Sequence, residues 1–208
     1  MITEVEITAH GDGRLRHCAR GALSVRQTGA RTIHLAATAA GPLDGDTVRM
    51  VVRVMAGARL RLHTVAATVV LAGCSSAVWQ LAVDEGAALE VTPQPVVVTA
   101  SARHHSHVQA YLTADATLLL TERVQLGRAA ETGGRWTGRL HVDRDGAPLL
   151  RHEVSLGEPA PLVAARAMTS ILRVPDNEPT EVRGNQVRMR LAAGGTLTTE
   201  LDQELRSH

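Results

Sequence analysis

Apolar and polar residues alternate along this chain in short runs, and the alternation itself recurs. Ile2, Glu4, Glu6 and Thr8 alternate with Thr3, Val5, Ile7 and Ala9. Leu60, Leu62 and Thr64 are spaced by two around Arg61 and His63, and Val48–Val54 is rich in β-branched residues with no helical stripe. A period of two places one set of side chains inward and the other outward on a β-strand. The phrase Gly57-Ala58-Arg59-Leu60-Arg61-Leu62 returns as Gly86-Ala87-Ala88-Leu89-Glu90-Val91 and again as Asp115-Ala116-Thr117-Leu118-Leu119-Leu120. Both intervals are 29 residues (86 − 57 and 115 − 86). The preceding segments Val48–Val54, Ala77–Val83 and Ser106–Leu112 keep the same step, and looser copies start at Gly29 and Gly146. A fixed period of this size marks stacked supersecondary units, each too small to bury its apolar face alone.

One unit reads as strand, turn, strand. Met55-Ala56-Gly57-Ala58 and Asp84-Glu85-Gly86-Ala87 supply the turns, with a glycine able to take the positive φ that a tight turn needs. Stacked units make an all-β protein, either a β-helix or solenoid or a rolled antiparallel sheet, and the pattern leaves both open. Outside the repeats, strands are predicted at residues 2–9, Arg14–Cys18, Leu23–Gln27, Thr32–Ala37, Arg139–Asp143, Leu149–Leu156 and Gln186–Leu191. Arg144-Asp145-Gly146 is a hairpin signal. Gly41–Asp46, Gly127–Gly134 and Val174–Pro179 read as loops, and Glu158-Pro159-Ala160-Pro161 breaks the pattern. Leu162–Thr169 is predicted as a short helix entered at a proline. Thr196–Arg206 is predicted as a C-terminal helix, because Leu197, Leu201 and Leu205 fall four apart. No linker divides the chain, so residues 1–208 are expected to form a single domain.

Composition narrows the chemistry. Aromatic residues are nearly absent (Trp79, Trp136, Tyr111), so the core must come from Val, Leu and Ala. The formal charge of +1 points to neither nucleic acid nor an anionic membrane as a partner. All 22 basic residues are arginine, which excludes a phosphate-loop lysine, a Schiff-base lysine and a Ser-Lys dyad. The N-terminus shows no basic region leading into an apolar run, and no apolar stretch reaches membrane-spanning length, so a cytoplasmic protein is expected. Cys18 and Cys74 have no metal spacing and are expected to be reduced and buried. Neither a nucleophile elbow nor a His-Glu-x-x-His motif occurs. The densest imidazole cluster, Arg103-His104-His105-Ser106-His107, reads as an exposed loop and strand start, with His105 and His107 on one face.

The segments after the repeats differ from one another, and irregular edges of a rigid scaffold are where function concentrates. His63–Thr68 comes after the first copy, Glu90-Val91-Thr92-Pro93-Gln94-Pro95 belongs to the second, and Thr121–Arg128 comes after the third. Together with the Gly41-Pro42-Leu43-Asp44-Gly45-Asp46 loop, these tails resemble the urease accessory protein family UreD, also called UreH. The resemblance takes in Thr64-Val65-Ala66-Ala67-Thr68, Leu89-Glu90 with Pro93-Gln94, Glu122 leading into Leu126-Gly127-Arg128, and Gly138–Leu150, in order over roughly residues 20–157. The chain departs from the family pattern at Val69, where a lysine is usual, and at Val91, where an aromatic is usual. His152 stands where an acidic residue is usual. A divergent, compact member is implied.

Such a resemblance implies an assembly factor rather than an enzyme. UreD-like proteins are β-helical scaffolds that hold UreF, which recruits the GTPase UreG. The assembly docks on the urease apoprotein subunits and assists nickel delivery. No tightly bound cofactor is implied, only nickel in transit through the scaffold interior. The matching positions Asp46, Glu90 and Glu122, with His152, are the candidate nickel relay, since nickel accepts both oxygen and imidazole ligands. Charged residues interrupting apolar strands are costly unless paired or hydrated. Each also has a plainer role, with Asp46 closing a turn and Glu90 pairing with an arginine. The alternatives are a metal-free β-solenoid interaction scaffold, or a β-helical carbohydrate-active enzyme using a carboxylate pair such as Glu122 and Asp143. The scarcity of aromatic sugar platforms counts against the enzyme.

Overall fold

The structure, a computed structural model, describes residues 1–157 and 165–205. Those residues form eighteen strands and no helix. The chain opens with β1 (Ile2–Ala9), β2 (Leu15–Arg20), β3 (Leu23–Gly29) and β4 (Thr32–Ala37). The repeats contribute β5 (Thr47–Val54), β6 (Arg59–Thr64) and β7 (Thr68–Val70), then β8 (Gly73–Val83), β9 (Ala88–Val91) and β10 (Val96–Val98), then β11 (Ala102–Leu112) and β12 (Thr117–Leu126). A hairpin of β13 (Arg135–Arg144) and β14 (Ala147–Leu156) comes next. The chain closes with β15 (Ala167–Val174), β16 (Glu181–Arg183), β17 (Gln186–Arg190) and β18 (Thr196–Asp202).

Two sheets face each other. The first runs β14-β13-β11-β8-β5-β1-β2 and the second β16-β17-β18-β15-β12-β9-β6-β4-β3, with β7 and β10 continuing beside the end of β12. The sequence period is the hydrogen-bond register. Thr47 pairs with Ser76 and Ser76 with His105, and on the second sheet Arg59 pairs with Ala88 and Ala88 with Thr117, each a step of 29. These pairings are parallel, because each repeat crosses from one sheet to the other and returns beside its predecessor. The parallel register selects the solenoid over the rolled antiparallel sheet. Antiparallel strands close it, β2 and β14 on the first sheet and β3 and β15–β18 on the second.

The interior holds two apolar clusters. The larger includes Ile7, Val52, Leu81, Ala110 and Val142, which form one transverse row across the first sheet, against Leu60, Leu89, Leu118, Leu172 and Leu197 of the second. The smaller gathers Val98, Val124, Leu126, Met168 and Leu156 around Trp136.

The C-terminal segment differs from expectation. Thr196–Asp202 is strand β18, paired on both sides with β15 and β17, rather than helix. A spacing of four is a multiple of two, so Leu197 and Leu201 share a strand face as readily as a helix face. The β-branched Thr196, Thr198 and Thr199 and the free edge of β15 decide for the strand. Arg206 lies outside the described residues, as do residues 158–161 and residues 162–164 of the other predicted helix, whose last positions, Ala167–Thr169, open β15. Cys18 and Cys74 are free, but exposed rather than buried.

Candidate functional site

The two apolar clusters are separated by one transverse polar row. On β12, inward-facing Leu120 and Val124 belong to different clusters and Glu122 lies between them. Glu122 pairs in register with Ser170 of β15, and Ser170 with Thr199 of β18. Leu172 and Met168 flank Ser170, and Leu197 and Leu201 flank Thr199, with the same division between clusters. Strand alternation therefore aligns three polar side chains at one level of the second sheet. On its other side Glu122 faces the interruption between β9 and β10. There Leu120 pairs with Val91 and Val124 with Val96, so residues 92–95 answer residues 121–123. The prolines Pro93 and Pro95 sit in that interruption, where no ladder amide is required.

The first sheet meets this row with small and polar groups. Ala77, Ser106, Gly138 and Val154 share its inward level. Ser106 Oγ donates to Glu122 Oε1 at 2.8 Å and ties the sheets together. Burial pushes the Glu122 carboxyl above its usual range, and the Ser106 bond offsets part of that. Gly138 has a steric reason: an added Cβ would lie 2.1 Å from Cη2 of Trp136, whose indole covers it.

One level toward the strand starts, the 29-residue step lines up Asp46, Ser75 and His104. His104 is 3 % exposed, with Nδ1 2.9 Å from Ser75 Oγ. Burial, aided by the neighbouring His105, lowers its pKa to about 4, so the ring is neutral near pH 7. The spacing is that of a nucleophile and its base, yet both side chains are sealed from solvent and the imidazole is too weak a base for the role. Asp46 is 9 % exposed. The Met1 amino group donates to its Oδ1 at 2.6 Å and the Leu43 N–H to its Oδ2 at 2.8 Å, and these bonds hold its carboxyl below the usual range. His152 faces inward from β14 opposite Leu140, and burial lowers its pKa.

Of the residues singled out in the sequence, Glu122 and His152 lie on inward faces, and Asp46 lies on the loop that leads to them. Glu90 does not face inward. Its neighbours Leu89 and Val91 are buried, so strand alternation turns it to the outer face, where it pairs with Arg61 at 3.3 Å. Asp143 also faces outward and is paired with Arg151, so it shares no cleft with Glu122 as a glycosidase pair must. Nothing in its own cluster distinguishes His104, although its 29-residue step from Ser75, and that of Ser75 from Asp46, marks all three as one level. His105 and His107 do share the outer face, on a strand rather than a loop. Among the described residues no three His, Cys, Asp or Glu side chains converge on one point. The interior thus holds separate oxygen and nitrogen donors spread through an apolar core rather than grouped as a closed coordination shell. No helix among the described residues is long and apolar enough to cross a membrane.

Residues 9–198 match the family described as UreD urease accessory protein. The chain is 35 % identical over 185 residues to urease accessory protein UreD 1 of Saccharopolyspora erythraea, covering 83 % of this chain and 72 % of that protein. It is 38 % identical over 170 residues to urease accessory protein UreD of Frankia alni, covering 69 % and 57 %. It is 35 % identical over 206 residues to urease accessory protein UreD of a Parafrankia species, covering 81 % and 69 %. The matched regions thus span between 57 % and 72 % of these relatives' lengths.

Proposed function

The chain belongs to the UreD urease accessory protein family, and from that premise we propose that it is a non-enzymatic scaffold that works in the cytoplasm with UreF and, through UreF, the GTPase UreG. In this reading the assembly docks on apo-urease and assists nickel insertion into its active site. The polar row through the apolar interior carries the proposal. Glu122, held by Ser106 across the sheets, stands in one row with Ser170 and, beyond it, Thr199, with His104 and His152 on neighbouring levels. Polar groups at such a level cost stability, and a nickel relay gives that cost a function. Nickel would be cargo here, met by exchangeable oxygen and imidazole contacts and not retained. Asp46 stands at the loop end of the route. Glu90, paired with Arg61 on the outer face, lies off it.

The test is co-expression of a tagged copy with UreF, UreG and the urease subunits. The expected result is co-elution with UreF and apo-urease, and nickel-loaded urease. Glu122→Gln, which preserves shape and the Ser106 bond, should keep co-elution while lowering urease nickel several-fold, and Glu90→Ala should change neither. Normal nickel loading with Glu122→Gln would leave a metal-free interaction scaffold as the reading. Recovery of the protein alone, with urease activated in its absence, would overturn the assembly role.

A further inference from the structure

The outer face of the second sheet carries a pair of histidines that the interior route does not use. The parallel register sets His34 of β4 directly opposite His63 of β6. The step of 29 from His63 leads to Thr92. The two imidazole ring centroids are 5.1 Å apart, with the planes inclined by 34°. His63 Nδ1 lies 2.7 Å from Thr92 Oγ1 and 3.4 Å from the Thr92 carbonyl oxygen. His34 Nδ1 lies 2.7 Å from Thr28 Oγ1. In the tautomer whose Nδ1–H donates to Thr92, Nε2 of His63 carries the free lone pair. In both rings the hydrogen bonding runs through Nδ1, and neither Nε2 has a protein partner among the described residues. Both side chains are partly exposed.

Geometry and chemistry agree on what this pair can hold. With metal–nitrogen bonds of about 2.1 Å and a ring centre about 1.1 Å beyond each nitrogen, two imidazoles at adjacent positions of a tetrahedral or octahedral ion have centroids roughly 4.5–5.3 Å apart. The observed 5.1 Å falls inside that interval. Orientation of a ligating ring by a hydrogen bond at its other nitrogen is the usual support of a metal-binding histidine, and Thr92 and Thr28 provide it here. We propose that His34 and His63 form a two-imidazole surface site, through their Nε2 atoms, for a borderline divalent cation such as Cu²⁺, Ni²⁺ or Zn²⁺. Neutral nitrogen ligands select such ions over Mg²⁺ and Ca²⁺, and copper binds most tightly in the series. Water fills the remaining positions. With two protein ligands and Glu90 already engaged by Arg61, the ion exchanges readily instead of being locked in. The site stands on the outer face and does not depend on nickel passing through the interior.

The second outward histidine pair is an internal control. His107 and His141 also have centroids 5.1 Å apart, but their planes are nearly perpendicular at 80° and His107 Nε2 is buried without a partner. The experiment is titration of the untagged full chain with Cu²⁺, followed by its visible absorption band and electron paramagnetic resonance, and with Ni²⁺ by calorimetry. One ion per chain with two imidazole nitrogens is expected. His34→Gln and His63→Gln should each weaken binding at least tenfold, and Thr92→Val about tenfold, consistent with loss of an outer-shell bond. His107→Gln should bind as the unmodified chain does. Unchanged binding in His34→Gln and His63→Gln, or a signal from a single nitrogen, overturns the proposal. Should a variant fail to fold, the unmodified chain decides. Paramagnetic broadening by substoichiometric Ni²⁺ should reach the His34 and His63 ring protons first, and broadening that spares them overturns the site.

Discussion

His104 and Glu122 face the same interior, and burial moves their proton affinities so as to favour the neutral form of each. For His104 the folded state refuses a proton that the unfolded chain accepts between pH 6.5 and about 4. Stability is therefore expected to fall as pH drops through that window, by roughly 3 kcal/mol at about 1.4 kcal/mol per unit. His104→Gln should flatten this slope when urea midpoints are compared at pH 4.5 and 7. Glu122 acts in the opposite sense. Its folded form holds the proton more tightly, so stability is lost as pH rises above the ordinary carboxylate value of 4.5. Glu122→Gln is expected to unfold at higher urea than the unmodified protein at pH 8 and to match it near pH 4. A Glu122→Gln variant that is less stable at pH 8 would mean that the charged carboxylate is paired in the fold. Gly138 is the steric counterpart. Gly138→Ala places a methyl 2.1 Å from Trp136 Cη2 and should cost about 1–3 kcal/mol, with a shift in Trp136 emission as the indole moves.

Strand β18 shows how an element can be specified by its neighbours. Its leucine spacing fits a helix or a strand equally, and β15 and β17 supply ladder partners on both sides. Leu197 is 2 % exposed and belongs to the larger cluster, so Leu197→Ala should cost about 2–4 kcal/mol in urea unfolding. A chain ended after Gly195 would leave β15 with an open edge and β17 paired only with β16. Exposed edges pair with one another, so light scattering is expected to detect oligomers of that truncation. A monomeric truncated form would show that β15 is covered in another way. Elements in the repeats behave differently, because their turns already mark their limits. Gly57 and Gly86, with φ of 69° and 62°, sit where the sequence places them.

At the scale of the molecule, one repeat length serves as the register of both sheets. Inserting one residue within β8, between Leu81 and Ala82, would turn the rest of the strand over and bring outward positions into the core. The same insertion at Glu85-Gly86, where an added Cβ on Gly86 meets nothing within 4 Å, lies in a turn with room around it. The first is expected to abolish cooperative unfolding and the second to be tolerated, which circular dichroism melts would distinguish. Equal loss in both would mean that the turns, too, are locked by the stack.

The sequence by itself determined the unit and its period. Alternation identifies a half-buried strand locally, and stacking coils of equal length turns a 29-residue repeat directly into the pairing of Thr47, Ser76 and His105. It also marked Glu90 and Glu122 as charges interrupting apolar strands. Only the tertiary structure decided between parallel and antiparallel stacking, because both arrangements accept the same alternation. Alternation with Leu89 and Val91 already turns Glu90 outward, but only the tertiary structure set Glu122 against Ser106 of the facing sheet, a contact that local sequence does not see. It decided β18 for the same reason, as a spacing of four satisfies either period until a partner edge is present. And it brought His34 to His63, since residues 29 apart become neighbours only when their strands pair.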